Sequence, residues 1–144
     1  MSGPLAVIDS SVFIGAKNPD EPEHQDCLRV LRLVDQQRVR GLVSTITVAE
    51  VAAGYYLEGD TEGRQEFLSY LRASKRIAVV PVDLEVAEVA ARVRSEVSLR
   101  LPDALIVATA LHRGAEWVVT HDREFTKAAH IVPASSAKAL AQRV

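Results

Sequence analysis

Short apolar runs alternate along the chain with longer stretches in which apolar residues recur every three or four positions. An apolar run of about four to eight residues is typical of a buried strand, and the longer period is typical of an amphipathic helix. The runs predict strands at residues 5–9, 41–44, 77–82, 117–120 and 131–133. The periodic stretches predict helices at residues 10–16, 24–37, 84–97 and 135–142, with others after Ser44, around Leu68 and from Pro102 to Arg113. This alternation predicts an α/β fold with a central parallel sheet of four to five short strands flanked by helices.

Several predicted helix ends carry residues that suit them. Ser10 and Ser11, Ser44 or Thr45, and Asp83 stand where a side-chain oxygen can cap a helix start. Gly59 and Gly114 stand where a helix would stop.

The composition is that of a small globular protein and excludes few functions. The 144 residues are 48% hydrophobic and 25% charged, which predicts a single domain spanning residues 1–144. The net charge of −2 gives no overall basic character, although 17 Lys and Arg residues can still cluster. Cys27 is alone, so it forms no internal disulfide, and we expect it to be a buried apolar residue in a reducing compartment. With no signal peptide or membrane span evident, we expect a cytoplasmic protein.

Four acidic residues stand in segments whose neighbours are apolar. Asp9 closes the first predicted strand, and Asp122 follows the strand at 117–120. Glu50 is the only charge between Ile46 and Leu57, and Asp103 is the only charge between Leu101 and Leu111. Alone, each has a simpler interpretation, because Asp9 suits a helix cap, Asp103 suits a helix dipole and Asp122 suits a turn. Glu50 has the weakest alternative, since it is placed in the middle of an apolar helix.

Together the four acids predict a binding site for a hard divalent cation. Two like charges about 4 Å apart cost roughly 4 kcal/mol at an effective dielectric of 20, and a cation removes that cost. Ligands bind at the carboxyl ends of strands in open α/β sheets, where Asp9 and Asp122 are expected. Carboxylate oxygens suit Mg²⁺ or Mn²⁺, with no competing His or Cys cluster evident in the sequence. We take Asp9, Glu50 and Asp103 as the primary set, with Asp122 acting through water or completing a second site.

Four segments around these acids resemble the PIN domain and, within it, the VapC-type toxins of toxin–antitoxin pairs. The segments are VIDSSVFI at residues 7–14, STITVAEV at 44–51, LPDALIVATA at 101–110 and VVTHDREF at 118–125. The resemblance covers nearly the whole chain and implies a ribonuclease that uses Mg²⁺ or Mn²⁺ on single-stranded RNA. The matching catalytic and metal-binding positions are Asp9, Glu50, Asp103 and Asp122. The family often has Asn where this chain has Ser11, which affects tuning of the site more than activity.

The same resemblance implies partners. We expect a homodimer whose site is closed by a segment of a cognate antitoxin, with an Arg or Lys taking the place of the metal's charge. Apolar anchors of that segment are expected to pack near Val12, Phe13, Tyr55 and Leu57.

Other polar residues near the acids are weaker candidates. Thr120 is expected to orient Asp122, and Ser11 either orients Asp9 or caps a helix. Arg100, Arg123 and Lys127 could hold RNA phosphate beside the acids, with ordinary solvated charge as an equal alternative. His121 could carry a proton, but a solvated histidine is the more usual outcome at the end of a strand. Trp117, Tyr55 and Tyr56 could stack on bases, and core or dimer packing is favoured for all three.

Two other functions compete with the ribonuclease. A phosphatase of the haloacid dehalogenase type also begins with a strand ending in Asp, but it needs a second Asp where this chain has Ser11. A catalytically silent PIN-like module that binds only RNA or protein is the alternative. Four costly carboxylates argue against it, because a site without function has no reason to retain them.

Overall fold

A computed structural model describes residues 3–144, and its centre is a parallel sheet of five strands. The strands are β1 (Leu5–Ile8), β2 (Arg40–Ser44), β3 (Ile77–Val80), β4 (Trp117–Val119) and β5 (Ala134–Ser135). Their order across the sheet is β3-β2-β1-β4-β5, with every neighbouring pair parallel. The predicted α/β class and parallel sheet are therefore confirmed.

Helices cover both faces of the sheet. They are α1 (Ser10–Lys17), α2 (His24–Asp35), α3 (Thr45–Glu58), α4 (Thr61–Ala73), α5 (Leu84–Glu96), α6 (Leu101–Arg113) and α7 (Ala137–Arg143), together with a 3₁₀ helix at Arg123–Ala128. Because side chains alternate along a strand, Ala6 and Ile8 pack on the side of α1 to α4 and α7, and Val7 packs on the side of α5 and α6. Burial on both faces explains why β1 and β4 are apolar throughout and why β2 carries polar side chains only at its ends, Arg40 and Ser44.

The helix ends follow the predicted chemistry in most places. The Ser44 hydroxyl accepts from the Ile46 N–H, and the Asp83 carboxylate accepts from the Val86 N–H. Gly59 and Gly114 each adopt a left-handed conformation with φ of 67°, which suits a residue without a Cβ. At α1 the N-cap position belongs to Asp9, and neither Ser10 nor Ser11 caps the helix.

Two predicted strands differ from the structure. The strand predicted at 77–82 ends at Val80, because Pro81 has no N–H to continue the ladder. The strand predicted at 131–133 is wrong, because Ile131 and Val132 both donate to the Ala128 carbonyl and form a turn after the 3₁₀ helix. That helix was not predicted, and the pairing with β4 begins only at Ala134.

Most of the residues expected to contact an antitoxin are buried in the core. Val12, Phe13 and Tyr55 are at most 9% exposed and belong to the core, whereas Leu57 is 90% exposed. Core packing is confirmed for Tyr55. Tyr56 is 67% exposed with Arg64 over its ring, so it is not a core residue, and dimer packing of Tyr56 stays a prediction. Three of the four expected anchors are therefore not available to another chain.

Within residues 3–144, no helix combines the length and the apolar character needed to cross a membrane.

Candidate functional site

Three of the four acids follow three neighbouring strands at one edge of the sheet, and the fourth lies on a helix that contacts all three strands. Asp9 comes directly after β1, Asp122 comes shortly after β4, and Glu50 lies on the helix that follows β2. Asp103 lies in the first turn of α6, which contacts all three of these strands. Parallel strands end at a common edge, so this topology brings together carboxylates from four distant parts of the chain.

The acids differ in burial. Asp9 and Asp103 are each 5% exposed, as their apolar neighbours predicted. Glu50 and Asp122 are half-buried, so the expectation of a core position was too strong for these two. The two buried carboxylates form the floor of the candidate site, and the other two remain accessible to solvent.

Asp9 is held by two hydroxyl groups. Thr120 Oγ1 donates to Asp9 Oδ2 at 2.8 Å, and Ser11 Oγ donates to the same oxygen at 3.0 Å. None of the described residues donates to Asp9 Oδ1. The hydroxyls therefore fix the carboxylate through one oxygen and leave the other free for a ligand.

The same hydroxyls fix the loop that follows β4. Thr120 Oγ1 accepts from the Asp122 N–H at 3.0 Å, and Ser11 Oγ accepts from the His121 N–H at 3.0 Å. The Thr120 hydroxyl thus donates to the Asp9 carboxylate and accepts from the backbone of Asp122. Thr120 was expected to orient the Asp122 carboxylate, but it orients the Asp9 carboxylate instead. Asp122 Oδ1 instead accepts from the Glu124 N–H and caps the 3₁₀ helix. Asp122 can therefore be both a turn residue and part of the site, because the cap uses Oδ1 and leaves Oδ2 of the same carboxylate unused.

Two of the acids have raised pKa values because they are buried beside other acids. Burial raises the pKa of Glu50 above its ordinary value, and the charges of Asp9 and Asp103 raise it further. Burial also raises the pKa of Asp103, against the lowering effect of Arg100 and with the help of Asp122 and Asp9. Each of the four acids is therefore part of one electrostatic cluster in which negative charge is in excess.

The side chains of the cluster offer only carboxylate oxygens, the ligands that a hard cation prefers. In the part of the chain that the structure describes, no three His, Cys, Asp or Glu side chains are grouped closely enough to hold one ion directly. Mg²⁺ is commonly held by one or two carboxylates and several retained waters, which this oxygen-only cluster can provide. The residues fit a hydrated ion bound by Asp9 and Asp103, with Glu50 and Asp122 reached through water.

Arg100 and Arg123, two of the weaker candidates, lie on different sides of the cluster. Arg100 Nε lies 3.4 Å from Asp103 Oδ2, and its side chain is 71% exposed. Arg123 opens the 3₁₀ helix and lines, with Asp122 and Thr120, an open cleft of about 280 Å³. Both cations border the acids without being buried among them.

His121 contacts two helices, so the solvated interpretation of this residue is wrong. Its Nε2 accepts from the Ala137 N–H at 3.4 Å, and its Nδ1 lies 3.8 Å from Cys27 Sγ. Burial raises the pKa of the Cys27 thiol to about 11, so Cys27 remains the neutral, inert residue that was expected. His121 therefore joins the loop after β4 to α2 and α7 and is not merely solvated. The sequence offers no signal for this, since the partners lie 94 and 16 residues away.

The Thr120 hydroxyl gives a direct prediction. Thr120→Val keeps the shape but leaves the Asp122 N–H without its acceptor and Asp9 with one donor fewer. We expect the free energy of unfolding to fall by about 1–3 kcal/mol in urea denaturation. The matched control is Thr126→Val on the exposed 3₁₀ helix, where we expect a change within about 0.5 kcal/mol. Equal effects of the two substitutions would contradict the role assigned to Thr120.

Comparison with known proteins places the chain in a family. The family model described as PIN domain matches residues 6–131. No curated protein sequence matches the chain.

Several solved structures have the same fold at low sequence identity. A toxin–antitoxin complex from Klebsiella pneumoniae is 22% identical with a TM-score of 0.69, and the match covers 92% of this chain and 97% of that one. VapBC2 from Rickettsia felis, bound to a DNA fragment from its promoter, is 16% identical with a TM-score of 0.71, covering 92% and 98%. VapC20 from Mycobacterium tuberculosis, a toxin that cleaves the sarcin–ricin loop, is 18% identical with a TM-score of 0.70, covering 89% and 97%. At these identities the likeness concerns the fold.

Proposed function

The chain belongs to the PIN domain family, and from this premise we propose that it is a metal-dependent endoribonuclease that cleaves RNA phosphodiester bonds. The observation that carries the proposal is the cluster of Asp9, Glu50, Asp103 and Asp122 at one sheet edge. Burial raises the pKa values of Glu50 and Asp103, and an excess of negative charge from the neighbouring acids raises them further. A cation offsets that excess, and a phosphate ester is a substrate on which such a cation acts.

The residues have distinct parts in this proposal. Asp9 and Asp103 would hold Mg²⁺ or Mn²⁺, with Glu50 and Asp122 contacting its waters. When bound, the ion supplies charge compensation for the phosphate and lowers the pKa of water. Ser11 and Thr120 keep Asp9 Oδ1 directed at the site by occupying Oδ2. Glu50 is accessible and has a raised pKa, which suits a group that accepts a proton from attacking water.

The proposal is tested by RNA cleavage in the presence and absence of a divalent cation. We expect the purified protein to cleave RNA with millimolar Mg²⁺ or Mn²⁺, and cleavage to stop after chelation. Binding of RNA without cleavage under either condition would instead support the catalytically silent PIN-like module.

We further propose that the chain is the toxin of a type II toxin–antitoxin pair. Support comes from the family and from the Klebsiella and Rickettsia structures of the same fold, which are toxin–antitoxin assemblies. A positively charged side chain from an antitoxin would neutralise the acidic cluster as a metal does. Leu57 and its neighbour Tyr56 are exposed apolar residues that such a partner could cover.

We also propose that the chain forms a homodimer. Sedimentation equilibrium tests this, and a monomer at all concentrations would contradict it.

The antitoxin proposal predicts a charge-dependent affinity. Replacing Asp9 and Asp103 together with Asn removes two buried charges that an Arg or Lys of the antitoxin would face. We expect calorimetry to show binding weakened by at least about 2 kcal/mol, because the partner's charge would be left buried and unpaired. The control Asp20→Asn/Glu62→Gln removes two exposed charges and should bind normally. Unchanged affinity of the Asp9/Asp103 variant would show that inhibition acts elsewhere.

A further inference from the structure

A basic groove adjoins the acidic cluster on the side of α5. It has a volume of about 320 Å³ and is lined by Arg94, Ser98, Leu99, Arg100, Glu124 and Lys127. Its walls are the end of α5, the segment 97–100 that leads into α6, and the 3₁₀ helix. Three cations and one acid line it, in a chain whose net charge is −2. The groove therefore concentrates positive charge that the chain as a whole lacks.

Two of the cations are anchored to the same segment from opposite walls. Arg94 Nε donates to the Leu99 carbonyl at 3.1 Å, and Lys127 Nζ donates to the Ser98 carbonyl at 3.4 Å. Backbone anchoring places both side chains before any ligand arrives, so less ordering is needed on binding. Arg94 uses only its Nε in this contact, which leaves the outer guanidinium nitrogens for an anion.

Arg100 connects the groove to the acids. It lines the groove, and its Nε lies 3.4 Å from Asp103 Oδ2. A strand of nucleic acid lying along the groove would therefore reach the carboxylates within one side chain's length. Without such a basic approach, the acidic cluster would repel the phosphates that it is proposed to cleave.

We propose that this groove binds the phosphate backbone of the RNA strand next to the scissile bond. Lys127 forms an ion pair with Glu124, but both side chains are about half exposed, so phosphate can replace the carboxylate at little cost. The contacts are to phosphate, so the groove fixes the position of the strand without reading its sequence. The inference rests on the proposed ribonuclease function and assigns its substrate path.

A second basic groove provides the rival location. It is about 430 Å³ in volume and carries Arg29, Arg32 and Arg38 along α2 and the segment after it. Arg38 lies just before β2, at the amino-terminal edge of the sheet, whereas the four acids lie at the carboxyl-terminal edge. A strand bound there would not reach the acids, so the α2 groove serves as the matched control.

The test compares RNA binding by variants that lose the same charge in the two grooves. A labelled single-stranded RNA is titrated by fluorescence anisotropy at several salt concentrations, with Asp9→Asn as the background to prevent cleavage. Adding Arg94→Gln/Lys127→Gln should weaken binding and reduce the slope of log affinity against log salt by about 1.4, since each lost contact with a single strand accounts for about 0.7. Adding Arg29→Gln/Arg32→Gln should leave both quantities unchanged. Arg94→Lys/Lys127→Arg, which keeps the charges, should restore most of the affinity.

Each outcome decides the question. An unchanged slope with Arg94→Gln/Lys127→Gln, or a loss confined to the α2 variant, would overturn the proposal. If Arg94→Gln destabilises the fold, Lys127→Gln alone changes an exposed side chain and must still reduce the slope by about 0.7. Cleavage assays on the same groove variants with Asp9 intact separate the groove hypothesis from the ribonuclease hypothesis. Normal cleavage with an unaffected slope rejects the groove alone, whereas no cleavage and no binding of any RNA rejects the ribonuclease.

Discussion

We expect Asp9→Asn to reduce RNA cleavage by at least about 100-fold while the protein remains folded. Asp9 is 5% exposed, and its Oδ1 is the free carboxylate oxygen at the floor of the site. Asparagine has the same shape but no negative charge, so it binds a divalent cation poorly and no longer helps to offset charge that develops on phosphate. Losing one fixed electrostatic group at an active site costs about 10²–10³ in rate.

The fold should survive this change because asparagine can replace the hydrogen bonds of Asp9. Its amide oxygen can accept from the Ser11 and Thr120 hydroxyls, as Asp9 Oδ2 does. The measurement is single-turnover cleavage of labelled RNA at saturating Mg²⁺, together with a thermal melt. The control Asp20→Asn changes an exposed loop acid and should cleave normally. Cleavage by Asp9→Asn at the unaltered rate would show that the buried acids serve the fold alone.

The elements that sequence analysis predicted well are those specified by local patterns. The buried strands β1 and β4 are uninterrupted apolar runs, and β2 is apolar between Arg40 and Ser44. The capping residues Ser44 and Asp83 each act within three positions. The final strand was misplaced because its position is decided by pairing with β4 and by a turn to Ala128, neither of which leaves a local pattern. Local chemistry therefore predicted the sheet, and tertiary pairing decided its last edge.

The sequence predicted the acids of the site but not the hydroxyl groups that hold Asp9 in place. Carboxylates in apolar segments are visible in the sequence because burial of charge is costly. The Thr120 hydroxyl that fixes Asp9 is separated from it by 111 residues, and only the fold brings the two together. Whether Ser11 caps a helix or binds Asp9 could not be decided from spacing, since a serine hydroxyl suits both. The structure shows the second arrangement.

We expect Mg²⁺ or Mn²⁺ to raise the melting temperature by about 10 °C at neutral pH. An ion at 100 times its dissociation constant adds about 2.7 kcal/mol to the free energy of unfolding, because the unfolded chain has no such site. In a domain of this size, 1 kcal/mol corresponds to a few degrees. The stabilisation arises because the ion offsets the repulsion among the acids, which adds to the effect of burial in raising the pKa values of Glu50 and Asp103. Differential scanning calorimetry with and without chelator measures the effect.

The pH dependence of this effect has a definite sign. A carboxyl whose pKa is raised in the folded state stabilises the fold fully below its unfolded value, and that stability is lost as pH rises through the folded value. For Glu50 and Asp103 the loss therefore begins near their ordinary values of 4.5 and 3.8 and is complete above their raised values. We expect these two groups to lower the stability of the chelated protein as pH rises, while the protein with Mg²⁺ keeps its stability. At acidic pH the ion should have no effect, because protons occupy the same oxygens.

Neutral variants separate the ion's effect from general salt stabilisation. Asp103→Asn/Glu50→Gln removes both shifted groups, so in chelator at neutral pH it should melt at or above the temperature of the unaltered protein. It should also lose most of the response to Mn²⁺, whereas Asp20→Asn/Glu62→Gln, which removes two exposed acids, should keep it. The same Mn²⁺ shift in both double variants would place the ion outside the cluster. Loss of the shift in the first alone, together with a flat pH profile in chelator, would tie the cation to the acids at the carboxyl edge of the sheet.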